Sequence, residues 1–201
     1  MSEQNKVTGV VLAGGLARRM AQQDKGLLLF NQQPLVSYAL AAMKPITNEI
    51  FISANRNRDQ YDLLGYPVID DGNDAFDGPL AGILAAMQAA HHSVLLVMPC
   101  DSPLLETRHS QRLLDALNET TDIAVAFDGE RLHPVFAALK IRLKTDLQNY
   151  LHKGERKLQS WFEKHALVKV DFSSTPEIFA NINTPEQLQM LEKSAINTVK
   201  N

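Results

Sequence analysis

The segment Val7–Leu29, VTGVVLAGGLARRMAQQDKGLLL, decides how the rest of the chain is read. It opens with a β-branched apolar run, Val7, Val10, Val11 and Leu12, that breaks at Gly14-Gly15, the pattern of a buried strand ending in a tight loop. Two successive glycines carry no Cβ, so the backbone can turn sharply and bring its N–H groups against a ligand. Arg18, Arg19 and Lys25 follow in the same loop, and these cations suit a polyphosphate. The loop is not a P-loop, because Lys25 is followed by Gly26 instead of Ser or Thr, and without G-x-G-x-x-G it does not indicate a dinucleotide cofactor. The glycines alone would also suit a strand–turn with solvated basic residues, a reading the cations weaken.

From this strand outward, helical and extended patterns alternate. Pro34–Met43 has helical periodicity with Pro34 in the first turn; Glu49–Asn55 and Tyr66–Asp71 read as strands. Pro79–Ala90 reads as a helix opening beside Gly78, and Ser93–Pro99, SVLLVMP, as a central strand buried on both faces. An amphipathic helix is expected over Glu106–Asn118. Strands at Ile123–Phe127 and Val135–Leu139 bracket a D-G-E-R-L-H-P turn as antiparallel neighbours. Helical segments near Arg142–Leu151 and Lys157–Lys164, a strand at Leu167–Phe172 and a last helix from Thr184, with its T-P-E start, complete the chain. The alternation predicts an α/β protein, a three-layer αβα arrangement around a mostly parallel sheet. No Pro- or Gly-rich linker divides it, so residues 1–201 read as a single domain.

Composition narrows the function. Apolar residues make up 45 % and charged residues 21 %, which suits a packed core and argues against disorder. A net charge of −3 lacks the basic excess of a nucleic-acid surface. One cysteine rules out an internal disulfide or a cysteine-cluster metal site. No apolar stretch approaches the ~20 residues that span a bilayer, and MSEQNK leads straight into a strand with no secretory core, so a cytoplasmic location is expected.

In open α/β sheets ligands bind beyond the carboxyl ends of the parallel strands. Those ends are Leu12-Ala13-Gly14-Gly15, Ser53-Ala54-Asn55, Asp70-Asp71-Gly72 and Pro99-Cys100-Asp101-Ser102-Pro103. Asp101 stands out, since a carboxylate directly after an apolar strand is held by a rigid element and suits Mg²⁺ shared with phosphate oxygens. The competing role is a cap for the following helix. Asp71, in D-D-G, is equally an ordinary turn residue. Gly78-Pro79-Leu80-Ala81-Gly82 opens a helix whose N-terminus would attract an anion, or is simply a Gly-Pro start in which Gly82 permits close packing. Cys100 reads as a small buried residue, Trp161 as packing, His91 and His92 as complements to a helix C-terminus, and His133 as a structural hydrogen-bonding residue.

Taken in order, L-A-G-G-x-x-x-R-M, D-K-G, D-D, G-P-L-A-G, C-D-S-P, H-P, G-E-R and N-I-N-T-P-E-Q-L resemble the molybdenum cofactor guanylyltransferases, also called molybdopterin-guanine dinucleotide synthases, from Val7 to about Leu188. The resemblance implies a nucleotide-diphospho-sugar transferase-like, Rossmann-like fold, GTP, Mg²⁺ as cofactor, and transfer of GMP to molybdopterin carrying molybdenum. It implies that Leu12, Ala13, Gly14, Gly15, Lys25, Ser53, Asp71 and Asp101 meet GTP, with Asp101 also on the metal. Arg19, Lys25 and Asp101 would be catalytic, and Gly78, Gly82, Arg156, Asn181 and Asn183 would lie toward the pterin. Other proteins of molybdenum cofactor biosynthesis and molybdoenzyme chaperones would be partners; nucleic acid and membrane would not. Ala21 stands where the family usually has glycine, and Ser53 where members can carry asparagine.

A phosphate monoester is largely ionised at neutral pH, its second pKa being about 6, so attack on the α-phosphorus of GTP needs no dedicated base. The task is to neutralise and position two anions. Cytidylyl transfer to molybdopterin and nucleotidyl transfer to a sugar phosphate would use the same chemistry. A non-catalytic nucleotide-binding or carrier module is the reading of a different class.

Overall fold

The computed structural model describes residues 6–13, 24–70 and 78–180. At its centre β1 (Val7–Leu12) is hydrogen-bonded in parallel to β4 (Glu49–Ser53) on one side and to β6 (Val94–Pro99) on the other. The sheet continues through β5 (Val68–Ile69) beyond β4, and through β8 (Leu132–Lys140), β7 (Ile123–Phe127) and β9 (Leu167–Asp171) beyond β6. Its order is β5-β4-β1-β6-β8-β7-β9, and β8 alone of these runs against the others. The mostly parallel α/β sheet expected from the sequence is therefore observed. A separate hairpin pairs β2 (Leu29–Phe30) with β3 (Gln33–Pro34).

Alternation along the central strands builds two cores. Val7 and Val11, Ile50 and Ile52, and Leu96 and Met98 face one side. There they pack with α1 (Leu35–Met43), with Tyr61 of α2 (Arg58–Asp62) and with Leu113 of α4 (Thr107–Asp115). Val10, Phe51, Leu95 and Val97 face the other side, against α3 (Pro79–Ala89), α5 (Lys144–His152) and α6 (Leu158–Phe162). A strand walled by helices on both faces must be apolar at every position, and β6 is buried throughout. Each fully buried aliphatic side chain in these layers contributes about 1.5–3 kcal/mol of transfer free energy. Trp161 is fully buried, as a packing residue should be, and its indole N–H donates to Asp146 Oδ1 at 2.7 Å.

Several local expectations are corrected. Pro34 is not in the first helical turn: it pairs with Leu29 and is the N-cap of α1. The turn before β8 ends sooner than D-G-E-R-L-H-P suggests, because Asp128 Oδ1 accepts the N–H groups of Glu130 and Arg131 and closes the loop early. His133 and Pro134 consequently lie inside β8, where a register irregularity between Val125 and Ala126 accommodates them. Arg142 and Leu143 belong to a 3-10 turn, Ile141–Leu143, ahead of α5. The third strand shrinks to Val68–Ile69. His91 does not serve the end of α3; its backbone N–H and Nδ1 meet the two carboxylate oxygens of Glu49, at 2.8 and 2.9 Å. The last helix expected from Thr184 lies outside the described residues.

Candidate active site

Parallel pairing sets four strand ends level. Leu12 lies opposite both Ser53 and Pro99, and Ser53 opposite Ile69. The ladder continues one residue past each end: Ala13 N–H donates to the Ser53 carbonyl (2.9 Å), Cys100 N–H to that of Leu12 (3.2 Å) and Ala54 N–H to that of Ile69 (3.0 Å). Leu12, Ala13, Ser53, Asp70 and Asp101 thus come to one rim, as the α/β geometry predicts.

Asp101 is 9 % exposed and Lys25 Nζ lies 3.1 Å from its Oδ2. This ion pair joins residues far apart in sequence and brings the cation that follows β1 onto the end of β6. The capping role for Asp101 does not hold, because the next helix starts at Thr107 with Glu106 as its N-cap. Burial, then the neighbouring charges of Asp101 and Asp24, push the Cys100 thiol well up. The thiol stays protonated and acts as packing, not as a nucleophile.

On the other face, Gly82 in the first turn of α3 sits against the ends of β1 and β4. A Cβ there would lie 2.6 Å from Ser53 Oγ and 3.0 Å from Leu12 Cδ2, so only glycine lets the helix approach this closely. Gly78, at φ +71°, makes the turn into the same helix. Gly82 and Ser53 are therefore brought together with Leu12, and Gly78 stands one turn before Gly82 at the N-cap of the same helix.

Arg156 is placed by topology. The segment before α5 is tied to the opposite edge of the sheet, where Ile141 N–H donates to the Ser93 carbonyl, and β9 starts at that edge beside Ile123. Arg156 lies in the connection between α5 and α6. Its guanidinium Nη1 donates to the carbonyls of Leu151 (2.7 Å) and Glu155 (2.8 Å), holding it at the end of α5. Gly14, Gly15, Arg19, Asp71, Asn181 and Asn183 lie outside the described residues.

One cluster escapes a reading by sequence, and in a second only the histidine is legible. Asp24, beside Lys25, is buried and accepts hydrogen bonds from Gly26, Tyr61 and Asn57. The Asp-Lys adjacency is its only trace in the sequence. His133 Nε2 lies 2.6 Å from Asp128 Oδ2, and its ring stacks on Phe179 at 3.8 Å. The backbone N–H of Arg131, then the imidazole of His133, hold the Asp128 carboxyl well below the usual carboxylate range. The histidine is thus structural, as expected.

The profile of the MobA-like NTP transferase domain matches residues 9–170. A protein named molybdenum cofactor guanylyltransferase from Shewanella loihica (strain ATCC BAA-1088 / PV-4) is 45 % identical over 190 residues, 94 % of this chain and 97 % of its own. One of the same name from Shewanella sediminis (strain HAW-EB3) is 44 % identical with the same coverage. Among solved structures, molybdopterin-guanine dinucleotide biosynthesis protein A from Archaeoglobus fulgidus is similar at a TM-score of 0.76 and 22 % identity, over 94 % of this chain and 99 % of that one. A CMP:2-keto-3-deoxy-manno-octonic acid synthetase complexed with CTP reaches a TM-score of 0.73 at 13 % identity, over 96 % and 100 %. At such identities these two likenesses speak for the fold alone, the nucleotide-diphospho-sugar transferase fold. With the profile covering most of its length and relatives above 40 % identity, the chain belongs to the MobA-like NTP transferase family of nucleotidyltransferases.

Proposed function

We propose that the chain transfers GMP from GTP to molybdopterin carrying molybdenum, releasing diphosphate and forming the molybdopterin guanine dinucleotide cofactor. The observation that carries this reading is the Lys25–Asp101 pair, 3.1 Å apart at the common rim of the parallel strands. The shared name of relatives 41–45 % identical over nearly the whole chain specifies the substrates. The single seven-stranded sheet supports reading residues 1–201 as one domain.

In the reaction a phosphate oxygen of the pterin attacks the α-phosphorus of GTP, the α–β phosphoanhydride breaks, and diphosphate leaves with its electron pair. Lys25 and Arg19 offset the charge that accumulates on the phosphates, and the backbone N–H groups of the Gly14-Gly15 loop hold them in line beyond Ala13, whose own N–H is given to the Ser53 carbonyl. Ser53 and Asp71 border the nucleotide; Gly78, Gly82, Arg156, Asn181 and Asn183 border the pterin. Asp101 fits a divalent cation such as Mg²⁺: its carboxylate offers hard oxygen donors just past the end of β6, and Lys25 engages Oδ2. Among the described residues no cluster of three potential ligands exists, so phosphate oxygens and water would complete the shell. Bound there, the cation would polarise the phosphates and offset the developing negative charge.

No helix among the described residues is long and apolar enough to cross a membrane. A cytoplasmic site of action, and encounters with other cofactor-biosynthesis proteins and molybdoenzyme chaperones, follow from the substrate pair. The deciding experiment is diphosphate release with GTP, CTP or ATP, using molybdate-loaded molybdopterin or a sugar phosphate as acceptor. Release with GTP and molybdopterin is expected. Preference for CTP or for the sugar phosphate would change the substrates, and nucleotide binding without release would leave a carrier.

A further inference from the structure

A buried polar chain connects Lys25 to a helix that the reaction does not otherwise use. Asp24 is 9 % exposed, and its carboxylate accepts from the Tyr61 hydroxyl (2.5 Å to Oδ1), from Gly26 N–H (3.2 Å to Oδ1) and from Asn57 Nδ2 (3.2 Å to Oδ2). Tyr61 is fully buried within α2, and Asn57 caps that helix at φ +51°. Gly26 is wedged beneath the ring: a Cβ there would lie 2.5 Å from Tyr61 Oη and 3.4 Å from Cys100 Cβ. The short turn Lys25–Leu27 is therefore clamped between α2 and the end of β6, with Asp24 as its anchor.

Capping a three-residue turn needs one acceptor bond. Here a buried carboxylate gathers three donors, one from its own turn and two from the distant α2 segment, at a desolvation cost that those bonds must offset. A lysine side chain has many rotamers to lose, so a cation useful at one spot gains from a fixed backbone origin. Burial, then Cys100 and Asp24, push the Tyr61 hydroxyl far above its ordinary range, so it keeps its proton and donates at any working pH.

We propose that Asp24 and Tyr61 are positioning residues for Lys25: the Tyr61–Asp24–Gly26 chain, steadied by Asn57, sets the turn from which Lys25 reaches Asp101 and the nucleotide phosphates. The inference rests on the nucleotidyl-transfer reading, since it assigns Lys25 work in that reaction.

A double-mutant cycle tests it. Tyr61→Phe and Asn57→Gly are each made in the wild-type and Lys25→Ala backgrounds, and kcat and KM for GTP are followed by diphosphate release. In the wild-type background Tyr61→Phe should lower kcat about tenfold, the scale of one hydrogen bond to a charged group, while KM for GTP changes less than about threefold. In the Lys25→Ala background the same change should cost less than about twofold, because the residue it acts through is gone. Equal losses in both backgrounds would make the chain merely structural and overturn the proposal. If Tyr61→Phe does not fold, Asn57→Gly carries the cycle, since glycine adopts the positive φ freely. Should the wild type release no diphosphate, the functional reading falls on its own, and the crystal structure of the Tyr61→Phe or Asn57→Gly protein decides the positioning. A Lys25–Asp101 separation beyond about 4 Å, outside ion-pair range, supports it, and an unchanged pair overturns it.

Discussion

Asp101 and Gly82 bring opposite properties to the rim, a charge and the absence of a side chain, and each makes a separate prediction. Asp101→Asn is nearly isosteric, so the strand end and fold should persist while Lys25 loses its counter-charge. Turnover in a diphosphate-release assay should drop about 100-fold, the scale of removing one major electrostatic stabiliser, with an unchanged circular dichroism spectrum. A folded mutant of near-normal activity would take Asp101 out of the reaction. At Gly82 the argument is steric. The added Cβ of Gly82→Ala must displace Ser53 Oγ, 2.6 Å away, or shift the first turn of α3. Overpacking of this kind costs about 1–3 kcal/mol, and the moved turn should lower kcat/KM about tenfold. Ser53→Ala removes the nearest clashing atom, so the double mutant should recover part of both losses; strict additivity in melting and kinetics would refute the clash. Asp101 was legible from sequence because an apolar strand points at it. Asp24 was not, because its partners Asn57 and Tyr61 lie more than thirty residues away and no periodic pattern links them.

At the scale of elements, long periodic segments were readable and short ones were not. β1, α3 and β6 fall within a residue or two of their expected ranges because each repeats its pattern over two turns or three pleats. The β2–β3 hairpin and α2 have strands of two residues and a helix of five, too short for a period to show. The start of α4 depends on a reciprocal cap: Glu106 accepts from the N–H of His109, and His109 Nδ1 accepts the Glu106 N–H at 3.1 Å. Burial, then the guanidinium of Arg108, lowers the pKa of His109 below its usual 6.5. With the folded value below the unfolded one, the unfolded chain binds more protons between the two. The contribution of His109 is thus complete above pH 6.5 and is lost as pH falls below it toward the depressed folded value. Protonated Nδ1 can no longer accept the Glu106 N–H, so protonation also breaks the reciprocal cap. Thermal midpoints of the wild type should decline over that window, whereas His109→Gln, which keeps an acceptor at the same capping position without titrating, should decline less. Parallel curves for the two proteins would exclude the histidine cap as the source of acid sensitivity.

For the whole molecule, the sheet divides the cleft. The all-parallel half, β5-β4-β1-β6, delivers Ser53, Leu12, Lys25 and Asp101, while the half containing antiparallel β8 extends toward the α5–α6 turn that carries Arg156. A parallel half with its loops at one rim suits a nucleotide, so the acceptor is expected on the other side of the transferred phosphorus. The layers, the sheet direction and the antiparallel pairing of β8 with β7 were readable from the alternation of elements and the turn between them, but the insertion of β8 between β6 and β7 was not, because strand order depends on pairings between segments far apart in sequence. If the division is functional, substitutions in the two halves should separate by ligand. Arg156 is fixed by the carbonyls of Leu151 and Glu155, so its charge belongs to the end of α5 and Arg156→Ala leaves the parallel half intact. It should raise KM for molybdopterin about tenfold or more, while GTP affinity stays within about threefold, under 1 kcal/mol. Asn183→Asp, outside the described residues, should do the same by setting a negative charge against a phosphorylated, molybdate-bearing anion. Equilibrium titration of each ligand separates the outcomes. Loss of GTP binding with molybdopterin binding retained would reverse the assignment of the two halves, and equal loss of both would mean that the acceptor crosses the whole rim.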